Sequence, residues 1–409
     1  RDVYNPRDIV QGVLGDCSFT HCTVAATHPK LLDKCIVTKE ANPEGVYAVQ
    51  FYKNGTWIPI IVDDRFPVHR YASPSFVSSS NHNELWMMLL EKAYAKFYSS
   101  YEAIEGGLVH LALVDLTGGS SEIIKMTNAA VAQDIKTGAL WARVRRYTQL
   151  GYLLGAGSHA GKDTVGCVCV CWHCAHLRSQ DVNDLGIVQG HAYAVLRAVE
   201  ESDSRGTHQL LQLRNPWGRT EWQGAWSDKD RSRWTKRMQQ KLGYDPSTED
   251  HDDGVFWISF QDFTLNFRNI YVCRLFDTSD GKWFKYTAAG EWSRAKRTAG
   301  GCPNEDSCDQ NPHYYLETTE PTTVFVSLAQ SEEMGTGRDN VIPIGFKVLD
   351  KLGERVKNVY QGEQVMGGAY AVSREVSAEA TLSADKVFTL FASTFRAGAE
   401  TAYTLTVYS

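Results

Sequence analysis

Cys17, in the stretch QGVLGDCSFTH, is a residue that could act as a nucleophile. The reactive form is the thiolate, and a free Cys is mostly protonated at neutral pH; a helix N-terminus or a nearby imidazolium lowers its pKa. The pattern turns apolar in FTHCTVAATH, which predicts a helix with Asp16 and Cys17 as its first positions, so the helix dipole would favour the thiolate. The same position equally suits a small buried residue, since free Cys is among the most buried types. Gln11 lies upstream across a Gly-containing loop. Its amide and the Cys17 N–H could donate together to one oxyanion, as acyl transfer requires, whereas a Gln with no such Cys nearby would be a solvated surface residue. A base is needed next. His191, in VQGHAYAVLRAV, follows Gly190 and opens an alternating apolar run. That predicts a strand start, from which the ring could project into a cleft; a half-exposed loop His is the plainer reading. Asn215, in LQLRNPWGRTEWQGAWSD, ends another strand, because Pro216 cannot continue the ladder. Its side-chain oxygen could accept a His ring N–H and fix the tautomer, with Trp217 shielding that bond. An Asn-Pro pair is also an ordinary turn signal.

These residues need elements to hold them. GVYAVQFYKNGTWIPIIVDD (45–64) predicts a β-hairpin around a Lys-Asn-Gly turn. ELWMMLLEKAYAKFYSSY (84–101) predicts a helix with Leu85, Met88, Leu89 and Ala93 on one stripe. LTGG (116–119) reads as a hinge between domains, and residues 122–148 read as helical. From residue 150 the chain changes to short β runs: YLLGAG, VGCVCVCW, HAYAVLRAV, HQLLQLRN, GVFWISF and NIYVCRLF, an antiparallel sheet domain. From about residue 277 a further all-β block follows, with TTVFVSLAQ, IPIGFKVLD, VFTLFAST and AYTLTVYS at the spacing of a sandwich. The expected partition is 1–118, 119–275 and 276–409. A chain of 409 residues is too long for one ordinary core.

Composition bounds the function class. With 43% hydrophobic and 22% charged residues the chain reads as soluble and globular. The net charge of −6 is spread without long blocks, so no nucleic-acid partner is expected. No apolar run approaches the roughly 18 residues of a membrane span. The opening RDVYNPRDIV lacks the apolar stretch of a secretion signal and starts abruptly near the motif, so the natural chain is expected to extend upstream. Ten Cys show no disulfide framework, and Cys167, Cys169, Cys171 and Cys174 sit too close together to staple a secreted fold. A reducing, cytoplasmic setting is expected.

The chain order Cys, His, Asn with an upstream Gln matches the papain-type arrangement. More specifically, QGVLGDCSF, DDRFP, NELWMMLLEKAYAKFYSSYEA, LTGG, GHAYAV and RNPWGRTEWQGAWSD resemble the protease core of the calpains. GVFWISFQDF continues that match, and GKWFKYTAAGEWSRAKRTAGGC and NPHYYL resemble the calpain-type β-sandwich that follows it. The resemblance spans nearly the whole chain. It implies an α+β fold: a papain-like two-lobed cysteine protease core, helical lobe plus antiparallel sheet lobe, followed by an all-β sandwich domain. Cys17 would lie on the helical lobe, His191 and Asn215 on the sheet lobe. The implied activity is limited proteolysis of protein substrates inside the cell. Calpain cores are activated when Ca²⁺ binds each lobe and closes the cleft. By motif position the first-lobe carboxylates fall on Asp8 and Glu84, and the second-lobe ones on Glu221, Asp228 and Asp253; oxygen-rich loops suit a hard cation.

Three departures stand out. Ser18 replaces the Trp that normally follows the nucleophile, removing an apolar wall beside the sulfur. Val255, in DDGVFW, replaces an acid of the second Ca²⁺ site, and RDVYNPRD replaces the Gly-rich turn before Asp8. In SHAGKDTVGCVCVCWHCAH (158–176), Cys167, Cys169 and Cys171 alternate, so a strand would place all three on one face. His173, Cys174 and His176 add ligand types, but single-residue alternation is not the spacing of a zinc knuckle, so buried thiols are expected rather than Zn²⁺. No paired-Asp EF-hand loop follows the sandwich. A second reading therefore stands beside the protease: a calpain-like structural module with weak or no proteolysis and a cytoskeletal partner.

Overall fold

The computed structural model describes residues 4, 8–12, 14, 28–69, 73–81, 84–160, 182–247, 253–278, 281–332, 341–360, 362–367 and 370–409. The helix expected from Asp16 and Cys17 and the alternating cysteines Cys167, Cys169 and Cys171 lie outside those residues.

Asn54 and Gly55 both sit at positive φ, 50° and 85°, as a two-residue type I′ hairpin turn demands. They join two strands in the region expected to form a hairpin. In chain order the described strands begin with β1 (Ile9–Val10), β2 (Val46–Lys53), β3 (Thr56–Asp63), β4 (Ser78–Ser79) and β5 (Ser120–Lys125). The helices before β5 are α1 (Pro29–Cys35), α2 (Trp86–Phe97) and α3 (Val109–Thr117). Helix α3 ends on Gly118 in the left-handed conformation at φ 67°, where glycine has no Cβ penalty. Helix α2 buries Met87, Leu89, Leu90, Ala93, Tyr94 and Phe97, while Leu85 is exposed and Met88 only half-buried. The expected stripe is thus corrected. It took Leu85 and Met88 as inward, but neighbours cover a wider face, one that includes Tyr94 and Phe97.

Ser120–Lys125 is a strand, not part of the helical stretch expected over 122–148. Helix formation waits for Asn128, whose side chain accepts from the Ala130 N–H and caps α4 (Ala129–Thr137); α5 (Ala139–Gln149) follows. Then come β6 (Leu153–Ser158), β7 (Ala192–Asp203), β8 (Gly206–Arg214), α6 (Lys236–Leu242), β9 (Val255–Ser259), α7 (Phe260–Asn266) and β10 (Phe267–Arg274). They form one six-stranded sheet in the order β5-β10-β6-β7-β8-β9, antiparallel from β10 to β9. The sheet is covered on both faces, and β7 shows how. Ala192 and Ala194 join a core with Leu89, Leu90 and Leu113 of the helices, whereas Tyr193 and Val195 join a second core with Trp141, Val144 and Phe256. Period-2 alternation sorts small residues to one side and large ones to the other.

The remaining strands are β11 (Lys285–Trp292), β12 (His313–Thr318), β13 (Thr322–Gln330), β14 (Pro343–Leu349), β15 (Gln364–Gly367), β16 (Ala371–Val372), β17 (Glu375–Leu382), β18 (Lys386–Thr394) and β19 (Thr401–Tyr408). They make two antiparallel sheets, β11-β19-β13-β17 and β12-β18-β14-β15, with β16 beside β14. Val326 and Leu405 from the first share a core with Phe346 and Leu390 from the second, which is a sandwich. The chain divides into two compact units: Arg1–Tyr52, Trp57–Gly119 and Ile123–Leu275 form one, and Lys53–Thr56, Ser120–Glu122 and Phe276–Ser409 the other. No helix among the described residues is long and apolar enough to cross a membrane.

Candidate active site

Three strand ends of the six-stranded sheet converge on one spot. His191 immediately precedes β7, after Gly190 at φ 60° has turned the chain. It is buried, and its backbone locks onto the end of β6: Ser158 N–H donates to the His191 carbonyl at 2.9 Å, and the His191 N–H donates to Ser158 Oγ at 2.9 Å. Asn215 immediately follows β8 and is fully buried. Nε2 of His191 lies 2.9 Å from Oδ1 of Asn215.

The loop after Asn215 decides which way that amide faces. Nδ2 donates to the carbonyls of Arg219 at 2.8 Å and Thr220 at 3.0 Å, which engages both of its hydrogens. Oδ1 accepts from the Trp217 N–H at 3.1 Å and is therefore the atom presented to His191. An amide oxygen only accepts, so Nε2 carries the hydrogen, and in the neutral ring the basic lone pair is on Nδ1. Trp217 packs on the imidazole with ring centroids 4.8 Å apart, and Tyr193 meets it edge-on at 5.2 Å. Gly254, at φ 85°, lets the turn before β9 approach: a Cβ there would lie 2.6 Å from the Asn215 carbonyl oxygen, while the Asn215 N–H donates to the Gly254 carbonyl at 2.7 Å.

Gln11 reaches the same loop. Its backbone N–H donates to the Pro216 carbonyl at 3.1 Å, and its side-chain Nε2 donates to the Leu14 carbonyl at 2.8 Å. The buried Arg214 side chain donates to the Ile9 carbonyl at 2.6 Å, a second tie between the Ile9–Gln11 segment and the end of β8. Gln11, His191 and Asn215 are thus gathered by β1, β7 and β8, while Cys17 and Ser18 lie outside the described residues. Sequence reasoning missed Arg214, Ser158 and Tyr193. Their roles depend on backbone atoms they reach in space, and no spacing in the chain signals those.

Four of the five carboxylates expected to bind Ca²⁺ fall into two pairs. Asp8 and Glu84 share the turn after β4: Ser80 Oγ donates to Asp8 Oδ1 at 3.1 Å, and Glu84 accepts from Asn81 Nδ2 at 2.9 Å and from Ser79 Oγ and Trp86 Nε1, each at 3.2 Å. Glu221 and Asp253 share the turn before β9, Glu221 accepting from the Gly254 N–H and Asp253 from the Val255 N–H, both at 2.8 Å. Asp228 is buried, and its carbonyl accepts from the Tyr244 hydroxyl at 3.4 Å. All the donors are oxygens, which suits a hard cation, but Ca²⁺ takes about six to eight of them. Among the described residues no group of three or more His, Cys, Asp or Glu is gathered to hold a metal. Each pair supplies two carboxylates, only part of the shell such a cation takes. Val255 is buried in β9 opposite Arg214 and contributes no side-chain oxygen.

Comparison with known proteins gives the family to which this chain is similar. Residues 1–274 match the family model of calpain family cysteine proteases, and residues 288–408 match that of calpain large subunit domain III. The calpain-type cysteine protease DEK1 of Arabidopsis thaliana is 39% identical over 99% of this chain, and DEK1 of Zea mays is 40% identical over 99%. Calpain-5 of Mus musculus is 33% identical over 85% of this chain and 57% of its own length. The chain spans 18% of the length of either plant relative.

Proposed function

Because the chain belongs to the calpain family of cysteine proteases, we propose that it is an endopeptidase that cleaves unstructured segments of proteins inside the cell, with Cys17, His191, Asn215 and Gln11 as its catalytic set. Nδ1 of His191 takes the Cys17 proton, and the sulfur adds to the scissile carbonyl carbon. The oxyanion so formed is held by the Gln11 side-chain amide and the Cys17 N–H. When the intermediate collapses, the C–N bond breaks and the leaving amine takes the proton from His191. Water, deprotonated by the same ring, then hydrolyses the thioester and restores the thiol. Asn215 keeps the imidazole in the tautomer that leaves Nδ1 basic and stabilises the imidazolium.

The observation that carries this reading is the His191–Asn215 bond with its amide oriented by Arg219 and Thr220. The other described cysteines do not compete as nucleophiles. Cys35, Cys273, Cys302 and Cys308 are all buried, burial pushes the Cys35 thiol up to about 12, and burial raises that of Cys308 as well. In this reading residues 1–118 form the lobe with Cys17 and 119–275 the lobe with His191 and Asn215, in papain-like fashion, and 276–409 is the sandwich. Asp8 and Glu84 would hold one Ca²⁺ and Glu221, Asp228 and Asp253 a second, weaker one. Bound Ca²⁺ would neutralise paired carboxylates and fix the loops that carry them.

The test is cleavage of a denatured protein by the purified chain, with and without Ca²⁺, against Cys17→Ala. Fragments from the wild type alone support the proposal. No cleavage under any condition, or equal cleavage by Cys17→Ala, overturns it and favours the structural module.

A further inference from the structure

The segment Val188–His191 is held by two hydroxyls that bond the two backbone groups of one residue, Val188. Ser158 Oγ donates to the Val188 carbonyl at 2.7 Å, and the Tyr193 hydroxyl accepts from the Val188 N–H at 2.8 Å. Ser158 Oγ also accepts the His191 N–H at 2.9 Å and lies 3.1 Å from the His191 carbonyl. All four residues are buried. Between Val188 and His191 stand only Gln189 and Gly190, the latter at φ 60°, where the backbone has unusual freedom. The β6–β7 ladder runs Leu154↔Val195 to Gly157↔Ala192, so Ser158 and His191 form the rung just past it.

We propose that Ser158 and Tyr193 are positioning residues for His191: their hydroxyls clamp the backbone of Val188 on both sides of its Cα, and that of Ser158 also the His191 backbone, and so fix where the imidazole stands. This rests on the reading that His191 is the base. Neither hydroxyl touches the reacting atoms; each acts through the backbone of the loop that delivers the ring. Tyr193 adds an edge-on ring contact to the imidazole, which Tyr193→Phe would keep while removing only the hydroxyl.

The position of the ring matters more to turnover than to substrate binding. A misplacement near 1 Å can lower a rate by about a hundredfold. Ser158→Ala should therefore lower kcat by roughly 10- to 100-fold with KM within about twofold of wild type. Ser158→Thr, which keeps a hydroxyl on the same carbon, should recover most of the loss. Tyr193→Phe should act in the same direction. The double variant should lose less than the product of the two single losses, because both hydroxyls hold the backbone of one residue, Val188.

The experiment measures kcat, KM and backbone amide exchange at Val188 and His191 in the full chain, for wild type, Ser158→Ala, Ser158→Thr, Tyr193→Phe and the double variant. Either single variant should speed exchange at both amides, not only at the one whose acceptor is removed. Faster exchange confined to one amide, or a folded Ser158→Ala with wild-type kcat, overturns the proposal. If the wild type shows no Cys17-dependent turnover, the protease reading fails, and the exchange data alone still decide whether the two hydroxyls hold His191.

Discussion

The imidazole of His191 and the amide of Asn215 meet at 2.9 Å, and the amide is aimed by carbonyls on its far side, those of Arg219 and Thr220. Asn215→Ala removes the acceptor and takes the Asn215 donor from those carbonyls. We expect kcat to fall on the order of tenfold to a hundredfold, and stability to drop by about 1–3 kcal/mol. Asn215→Asp should destabilise further, because a carboxylate oxygen would face the two carbonyls. Steady-state kinetics and thermal melting check both variants; an Asn215→Ala enzyme with wild-type kcat contradicts the role assigned to the pair.

Gly254 offers a test of the loop rather than the ring. Its φ of 85° and the 2.6 Å approach of its would-be Cβ to the Asn215 carbonyl oxygen leave no room for alanine. Gly254→Ala should lower stability by roughly 2 kcal/mol or more and lower kcat together, since relief of the clash moves Asn215. An unchanged melting temperature would show that the turn accommodates a side chain.

Much of this arrangement can be read from the chain. The Asn54-Gly55 turn is legible because only residues tolerant of positive φ make that hairpin. Strands β7 and β8 are legible by alternation, and with them the strand-end positions of His191 and Asn215. Other features depend on partners distant in sequence. Strand β5 looked helical because its short stretch SSEIIK gains its extended form from the sheet partner β10. The inward face of α2 depended on which cores close over Tyr94 and Phe97. Arg214, Ser158 and Tyr193 act on backbone atoms, which no side-chain pattern encodes. The carboxylates Asp8, Glu84, Glu221, Asp228 and Asp253 were suggested by family resemblance alone, and their own types and spacing read as turn acids.

The sandwich carries a pH-sensitive group. Nδ1 of His313 donates to the Asn311 carbonyl at 2.7 Å, and Nε2 accepts the Val356 N–H at 3.0 Å, a pairing only the neutral ring can make. Burial lowers its pKa and the Arg355 charge adds to that, while the Asn311 carbonyl and Asp309 act in the opposite sense. A depressed pKa means the stabilisation is fully present above the unfolded value of about 6.5 and is lost as pH falls. At this half-buried position the effect should stay below about 1 kcal/mol. Denaturant unfolding at pH 7.5 and pH 5 should show a larger acid loss for wild type than for His313→Gln. Equal losses in the two proteins would contradict the assignment.

Calcium should raise the melting temperature, and Glu84→Gln should remove most of that rise. A ligand at about a hundred times its Kd stabilises by about 2.7 kcal/mol, so a working site is visible by melting. Glu221→Gln should matter less, because Val255 leaves its site short of an oxygen. Calorimetric titration with Ca²⁺, and with Mg²⁺ as control, measures both. The absence of any Ca²⁺ heat in the wild type would remove Ca²⁺ from the account.

The most direct measurement of the central claim is covalent labelling of the full chain by a peptidyl epoxide, followed by intact mass and peptide mapping. Wild type, Cys17→Ala and His191→Ala are compared with and without Ca²⁺. The account predicts one equivalent of label, on Cys17, lost in Cys17→Ala and strongly slowed in His191→Ala. No label on wild type under either condition, or label persisting in Cys17→Ala, would contradict it.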